Sequence, residues 1–366
     1  MVTPFGVAWR LLDVVPTGRV VGLLPGVTHA YLDTETTGLA GGTGTQVFAA
    51  AVCRPTEAGL ELAQLFLPDL GAEAAFLSLL QGELAGCGRL ATYNGSRFDL
   101  PLLRTRWVMA RMPGDLVHPV HLDLLTLTRA LLRQRLVSCS LPVVEQRLLG
   151  FERERDLPGA MAPDAYFRYL RHGSTTALEL ALEHNRQDVL TLLHLHARLL
   201  QRLAGEDPRM DAADWLALGR HLFRQLRRAD GWRALRHAAE LADGPASALA
   251  GLLLARALAR RHRPAAAERL LAGLQRQLPG EVSLAVARAR LLEWRLGDPA
   301  AAHGLMVRAL GGLPGDSPYR RDLETRLRRL ESRLGRRSAP QARAPAQAEL
   351  FPGLAARGRA STLLWP

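Results

Sequence analysis

Two carboxylates one residue apart give the sequence its first chemistry. They are Asp33 and Glu35, in the run Tyr31-Leu32-Asp33-Thr34-Glu35-Thr36-Thr37-Gly38-Leu39. In a strand, residues two apart point to the same face, so both acids would stand side by side at the strand's end. Adjacent carboxylates repel, and one is driven to protonate unless a cation sits between them. Oxygen ligands of this kind suit Mg²⁺ or Mn²⁺. The plain alternative is a single Asp-x-Glu triplet in a solvated loop. A third acid, Asp99, ends Tyr93-Asn94-Gly95-Ser96-Arg97-Phe98-Asp99 and opens a helical pattern with Leu102, Leu103 and Trp107 on its apolar face. With Pro101 just inside that helix, Asp99 also suits an N-cap, a role compatible with facing a metal. Asn94 tolerates turn conformations and serves equally as a turn residue. A fourth acid closes Glu183-His184-Asn185-Arg186-Gln187-Asp188. His184 and Asp188 are four apart on a helical pattern and share one face, between Leu180, Leu192 and Leu195. An i, i+4 pair on a solvated surface is the alternative there.

The elements that must hold these residues are legible in outline. Residues 28–203 alternate strands with helices. An apolar run over 29–32 meets Asp33, a Gly/Thr-rich loop covers 38–45, and runs over 46–52 and 60–67 read as strands joined by a turn at 55–59. Helical periodicity covers 73–84 and 99–111. Residues 90–93 and 117–122 read as extended, and the remainder to 203 is mostly helical. This order predicts a mixed sheet covered by helices. After Gly205-Glu206-Asp207-Pro208 the strand signals stop, and Ala, Leu and Arg recur at helical spacing. Arg263-Pro264-Ala265-Ala266-Ala267 is echoed by Asp298-Pro299-Ala300-Ala301-Ala302. Leu278-Pro279-Gly280-Glu281 is echoed by Leu313-Pro314-Gly315-Asp316. Both echoes repeat at about 35 residues, the length of a tetratricopeptide-type helical hairpin. The expected organisation is an extension over 1–27, an α/β domain over 28–203, all-α helical repeats over 209–335 and a disordered tail over 336–366.

Composition narrows the class. The net charge is +12 with no lysine, every cation being arginine. Codon bias accounts for the choice of arginine, but the surplus of base over acid favours a polyanionic partner. Cys53, Cys87 and Cys139 lack metal-ligand spacing and read as free thiols of a reducing cytoplasm. No apolar run approaches the roughly 18–20 residues of a membrane span, and the N-terminus lacks a signal-peptide pattern.

Taken together, the three acidic segments resemble, in order and in element, the DEDD exonucleases of the ribonuclease H-like superfamily. Thr36-Thr37-Gly38-Leu39, Leu122-Asp123-Leu124-Leu125, Ser138-Cys139-Ser140-Leu141 and His184-Asn185 are similar to the YprB-like family of predicted bacterial exonucleases. In several of its members a nuclease domain precedes tetratricopeptide-like repeats. The resemblance implies a ribonuclease H-like mixed sheet with flanking helices. It makes Asp33, Glu35, Asp99 and Asp188 the ligands of two Mg²⁺ or Mn²⁺ ions, with His184 as general base. In that superfamily the third motif carries His five residues before the Asp, or Tyr four before it. Here His184 stands at the tyrosine spacing. The implied reaction is 3′-5′ hydrolysis of RNA or single-stranded DNA, with Thr36, Thr37, Gly38, Leu39, Tyr93, Asn94 and Phe98 against the substrate. Asp123 either supports the site or caps the next helix. The competing readings are a structure-specific endonuclease with the same acids, and a non-catalytic module binding nucleic acid or protein. The helical repeats offer a surface to a protein partner as well.

Overall fold

The computed structural model describes residues 1–4, 6–15, 29–38, 42–56, 59–113, 120–153 and 157–338. A small hairpin, β1 (Val2–Thr3) and β2 (Gly6–Val7), precedes β3 (Trp9–Val15). Then come β4 (His29–Thr36), β5 (Val47–Thr56), β6 (Gly59–Phe66), α1 (Glu73–Leu84), β7 (Arg89–Thr92), α2 (Asp99–Met109), β8 (Val120–Asp123) and α3 (Leu124–Leu132). The six larger strands form one sheet in the order β3-β6-β5-β4-β7-β8. β4 pairs antiparallel with β5 and parallel with β7, and β7 runs parallel to β8. The carboxyl ends of β4, β7 and β8 therefore lie along one edge of the sheet, where α/β folds collect their ligands.

β4 and β5 are central, with burial on both faces, and their near-continuous apolar runs reflect that. Alternation divides the core in two. Ala30, Leu32, Ala50 and Val52 pack with Phe76, Leu80, Leu103, Trp107 and Tyr166. Tyr31, Ala51 and Cys53 pack on the other face with Leu124, Val144, Val189, Leu192 and Leu199. The helix behind that second cluster is α6 (Thr176–Ala204), reached through α4 (Leu141–Val144), a π-helical turn over Glu145–Leu149 and α5 (Ala162–His172). α6 ends at Gly205, whose φ of 75° releases the chain from the helix.

The remaining elements are helices: α7 (Ala212–Arg224), α8 (Arg228–Glu240), α9 (Gly244–Arg260), α10 (Pro264–Gln277), α11 (Val282–Trp294), α12 (Pro299–Gly311) and α13 (Arg320–Ser338). The echoed sequences fall at matching points. Pro264 and Pro299 open α10 and α12, where proline's missing N–H costs nothing. Gly251 of α9 faces Leu274 of α10 so closely that any Cβ would overlap Leu274 Cδ1.

Two findings differ from the sequence reading. β3 belongs to the sheet, paired along its length with β6, although the domain was expected to begin at 28. Moreover, the compact units are Met1–Ala287 and Arg288–Pro366, not a division near 203–209. Leu218, Leu222 and Ala234 of α7 and α8 join the cluster that contains Tyr31 and Leu199. Arg202 is buried in salt bridges to Asp207 at 3.0 Å and Asp214 at 2.9 Å, which tie α6 to α7. Among the described residues no helix is long and apolar enough to cross a membrane. Leu39 and the tail from 339 onward lie outside the described residues.

Candidate active site

Asp33 and Glu35 stand near the carboxyl end of β4, on the face that Tyr31 presents to α6. Asp33 Oδ2 accepts from Asn185 Nδ2 at 2.8 Å. Asn185 is fully buried, and its amide oxygen accepts in turn from Gln64 Nε2 at 3.2 Å. Gln64 also donates to the Leu182 carbonyl at 2.7 Å. A chain of amides thus fixes one oxygen of Asp33 from β6 through α6. Glu35 is buried beside it, and the β4–β5 register shifts between Glu35 and Thr36. Such a bulge turns the chain out of the sheet. Beyond it, the Thr36 hydroxyl donates to the Gly38 carbonyl at 2.8 Å, and Thr37 Oγ1 accepts from Gln46 N at 2.9 Å. Thr36, Thr37 and Gly38 therefore form a braced turn directly after the acids.

Asp99 arrives from β7. Its carboxylate accepts from the Thr34 hydroxyl at 2.5 Å. The expected N-cap placement is not found: Phe98 occupies the cap position of α2 and makes no side-chain cap bond. Asp123 does cap α3, accepting from Leu125 N at 3.0 Å. It also accepts from Asn94 N at 2.9 Å, from Ser96 N at 3.3 Å and from the Ser96 hydroxyl. One carboxylate therefore ties the loop after β7 to the end of β8 at Asn94 and Ser96. Asn94 adopts φ 68°, a left-handed conformation that asparagine tolerates. The Tyr93 hydroxyl donates to the Cys139 carbonyl at 2.6 Å, and Phe98 is half-buried.

Asp188 comes from α6 and is turned toward Arg153. The guanidinium of Arg153 donates to Asp188, forks onto Glu145 at 2.6 and 2.8 Å, and donates to His184 Nδ1 at 2.9 Å. Glu145 is buried at the start of the π-helical turn and also accepts from the Thr191 hydroxyl at 2.5 Å. Arginine can only donate, so His184 Nδ1 accepts and the neutral ring carries its proton on Nε2. That nitrogen lies 3.6 Å from Asp188.

The acids act on one another. Burial pushes Asp33 well above the ordinary carboxylate range. The charges of Asp188, Glu35 and Asp99 push further, and the Asn185 bond pulls back. Burial raises Asp99 to about 6 against the Thr34 and backbone hydrogen bonds. Burial also raises Asp188, against His184 and Arg153. The fold has gathered four acids from β4, α2 and α6 into one electrostatic neighbourhood, which natural proteins do at functional sites. A hard divalent cation fits this all-oxygen donor set and would relieve its repulsion. As placed, no three His, Cys, Asp or Glu side chains among the described residues converge on one ion. Asp99 is engaged by Thr34, one oxygen of Asp33 by Asn185, and Asp188 by Arg153.

Sequence reasoning gave no role to Thr34, Asn185, Glu145 or Arg153. Thr34 and Asn185 lie inside the motifs, and helical spacing could have placed Asn185 toward β4. Nothing local marks Glu145 and Arg153, because their roles arise from a contact with α6 across 35–46 residues of sequence.

The sheet and its acid-bearing edge match a known class. The model of the RNase_H superfamily matches residues 30–200, the stretch that carries all four acids. Over 178 residues the chain is 35% identical to the uncharacterized protein YprB of Bacillus subtilis (strain 168), covering 48% of this chain and 43% of that protein. Among solved structures it is similar to the family B DNA polymerase of the hyperthermophilic archaeon Pyrobaculum calidifontis. That match has 16% identity and a TM-score of 0.38, and covers 67% of this chain and 33% of the polymerase chain. The chain thus spans less than half the length of either.

Proposed function

We propose that the protein is a metal-dependent nuclease that removes nucleotides from the 3′ end of RNA or single-stranded DNA. The observation that carries this reading is Asp33, buried in the combined field of Asp188, Glu35 and Asp99 on a ribonuclease H-like sheet. Asp33, Glu35, Asp99 and Asp188 would hold two Mg²⁺ or Mn²⁺ ions. Bound divalent ions lower the pKa of water and neutralise charge on a phosphoryl group in transit. The chain's own residues do the placing. Asn185 and Gln64 orient Asp33, Thr34 orients Asp99, and the braced 36–38 turn presents backbone to the substrate. His184 would take a proton from the attacking water once Arg153 withdraws from its Nδ1. The helices from α7 onward, with their echoed 35-residue pattern, are read as repeats that select the nucleic acid or a protein partner.

End-labelled RNA and single-stranded DNA, incubated with Mn²⁺ or Mg²⁺ and with chelator, test the reading. A ladder shortening from the 3′ end is expected with metal alone. Asp188→Asn should abolish it with the fold intact, whereas His184→Ala should cost about 10²–10⁴-fold or less. Absence of metal-dependent cleavage, or full activity in Asp188→Asn, would overturn it.

A further inference from the structure

Two segments that carry the family resemblance, 122–125 and 138–141, hold no metal ligand in the reading above, yet Leu125 of the first and all four residues of the second line one cleft. It has a volume of about 690 Å³ and opens beside the loop that carries Asp99. Its walls are Arg129 and Arg133 from α3, Ser138 and Ser140 from the following loop, and Tyr93 with Asn94 from the end of β7. Among the described residues no acidic one lines it. Asp123, on the same loop system, is engaged by four donors from Asn94, Ser96 and Leu125.

The two arginines stand four apart. Arg133 keeps helical angles at the end of α3, so the two residues share one face, about 6 Å apart along the axis. Both are exposed, and among the described residues neither has a carboxylate partner. Their positive charge reaches the cleft interior. Burial pushes the Cys139 thiol up, and both arginines pull against it. The Ser138 hydroxyl accepts from Ser140 N at 3.1 Å and keeps its own proton to donate. Tyr93 is stapled to the Cys139 carbonyl, which fixes an aromatic ring in the wall. Val137, 95% exposed, stands at the same cleft. Paired arginines, hydroxyls, a fixed aromatic ring and a bare apolar side chain are what an unpaired nucleotide strand uses: phosphates on cations, bases on flat or apolar surfaces. The volume lies within the ~300–1,000 Å³ of small-ligand sites. It suits one or two splayed nucleotides.

We propose that this cleft seats a stretch of single-stranded nucleic acid next to the carboxylate site, with phosphates on Arg129 and Arg133 and a base against Tyr93 and Val137. The assignment extends the nuclease reading by giving it an unpaired substrate. Its test does not depend on cleavage. Binding of a fluorescent single-stranded oligonucleotide to the full chain is measured by anisotropy in chelator across a salt series. Each phosphate contact on a single strand contributes about 0.7 to the slope of log K against log salt. Arg129→Gln/Arg133→Gln should therefore flatten the slope by about 1.4 and weaken binding, with its melting temperature unchanged. The control Arg168→Gln/Arg171→Gln on α5 removes the same charge elsewhere and should leave the slope within error of the starting protein. An unchanged slope in the cleft variant, or an equal fall in the control, overturns the cleft. Arginine-dependent binding by a protein that cleaves nothing with Mn²⁺ would retain the cleft and remove the nuclease reading. Absence of binding by the full chain would remove the cleft whatever the cleavage assay shows.

Discussion

Asp188 already has a cation in this structure, and it is Arg153. The guanidinium bridges Asp188 and Glu145, and burial, which by itself works against its charge, is overcome by those two carboxylates. Arg153 and a divalent ion would thus supply positive charge to the same carboxylate. Removing one partner of a buried pair costs about 3–5 kcal/mol, because the other charge is left uncompensated. Arg153→Met should accordingly lower the melting temperature in chelator, and Mn²⁺ should recover part of the loss. Recovery is partial because Glu145 stays unpaired. An identical deficit with and without Mn²⁺ would show that metal and guanidinium do not share Asp188. Proton linkage gives a second prediction at this scale. Asp99 titrates near 6 and Asp33 is raised well above its ordinary range, whereas unfolded carboxylates titrate near 4. The folded chain therefore holds protons that the unfolded chain releases. These groups favour folding at low pH, and that contribution is lost as pH rises from about 4 through 6 and beyond. Metal binding expels the same protons and should become more favourable as they leave. The rise in melting temperature given by millimolar Mn²⁺ should be larger at pH 8 than at pH 5, and equal shifts would contradict the linkage.

The elements carry these residues through turns with little tolerance. Gly95 lies between β7 and α2, and a Cβ there would sit 2.6 Å from Thr92 Cβ and overlap the Thr92 hydroxyl. Gly95 N donates to that same hydroxyl at 3.1 Å, and Thr92 is fully buried. Gly95→Ala must displace the loop that delivers Asp99, so it should reduce cleavage more than it reduces the melting temperature. Equal activity at equal stability would show that the loop does not position the acid. Much of this scale was legible in the sequence. The 73–84 helix occurs as expected, and the strands around Asp33 differ only at their ends. Period-two alternation puts Asp33 and Glu35 on one face, and helical spacing puts His184 beside Asp188. What periodicity could not give was the direction of each carboxylate. Asp99 at a helix start reads as a cap, but a buried Thr34 hydroxyl from β4 competes for it and wins. Nor could spacing find β3, since its partner β6 lies some fifty residues away and the stretch between includes residues 16–28.

At the scale of the molecule, the change of composition after Pro208 marks a change of architecture without marking a break in the core. Leu222 of α7 is buried in the same apolar cluster as Leu192 and Leu199 of α6, and Arg135 after α3 bridges Asp211 and Asp214 at 2.8 Å each. Leu222→Ala should cost about 2–5 kcal/mol, the range for truncating a buried leucine. If the core is continuous, amide protection in α6 should fall together with that in α7, as hydrogen exchange will show. Protection lost from α7 alone would restore a domain boundary near 203–209. The shared core fixes α7 and α8 to the sheet's α6 face, independent of any linker.

The central claim is that Asp33, Glu35, Asp99 and Asp188 form one divalent-metal site, and the most direct measurement is anomalous diffraction from crystals soaked in Mn²⁺. Two anomalous peaks among these four carboxylates are expected, with Arg153 displaced from Asp188. Crystals that show no manganese within reach of Asp33 and Asp188, at concentrations that saturate other divalent-metal nucleases, would contradict it.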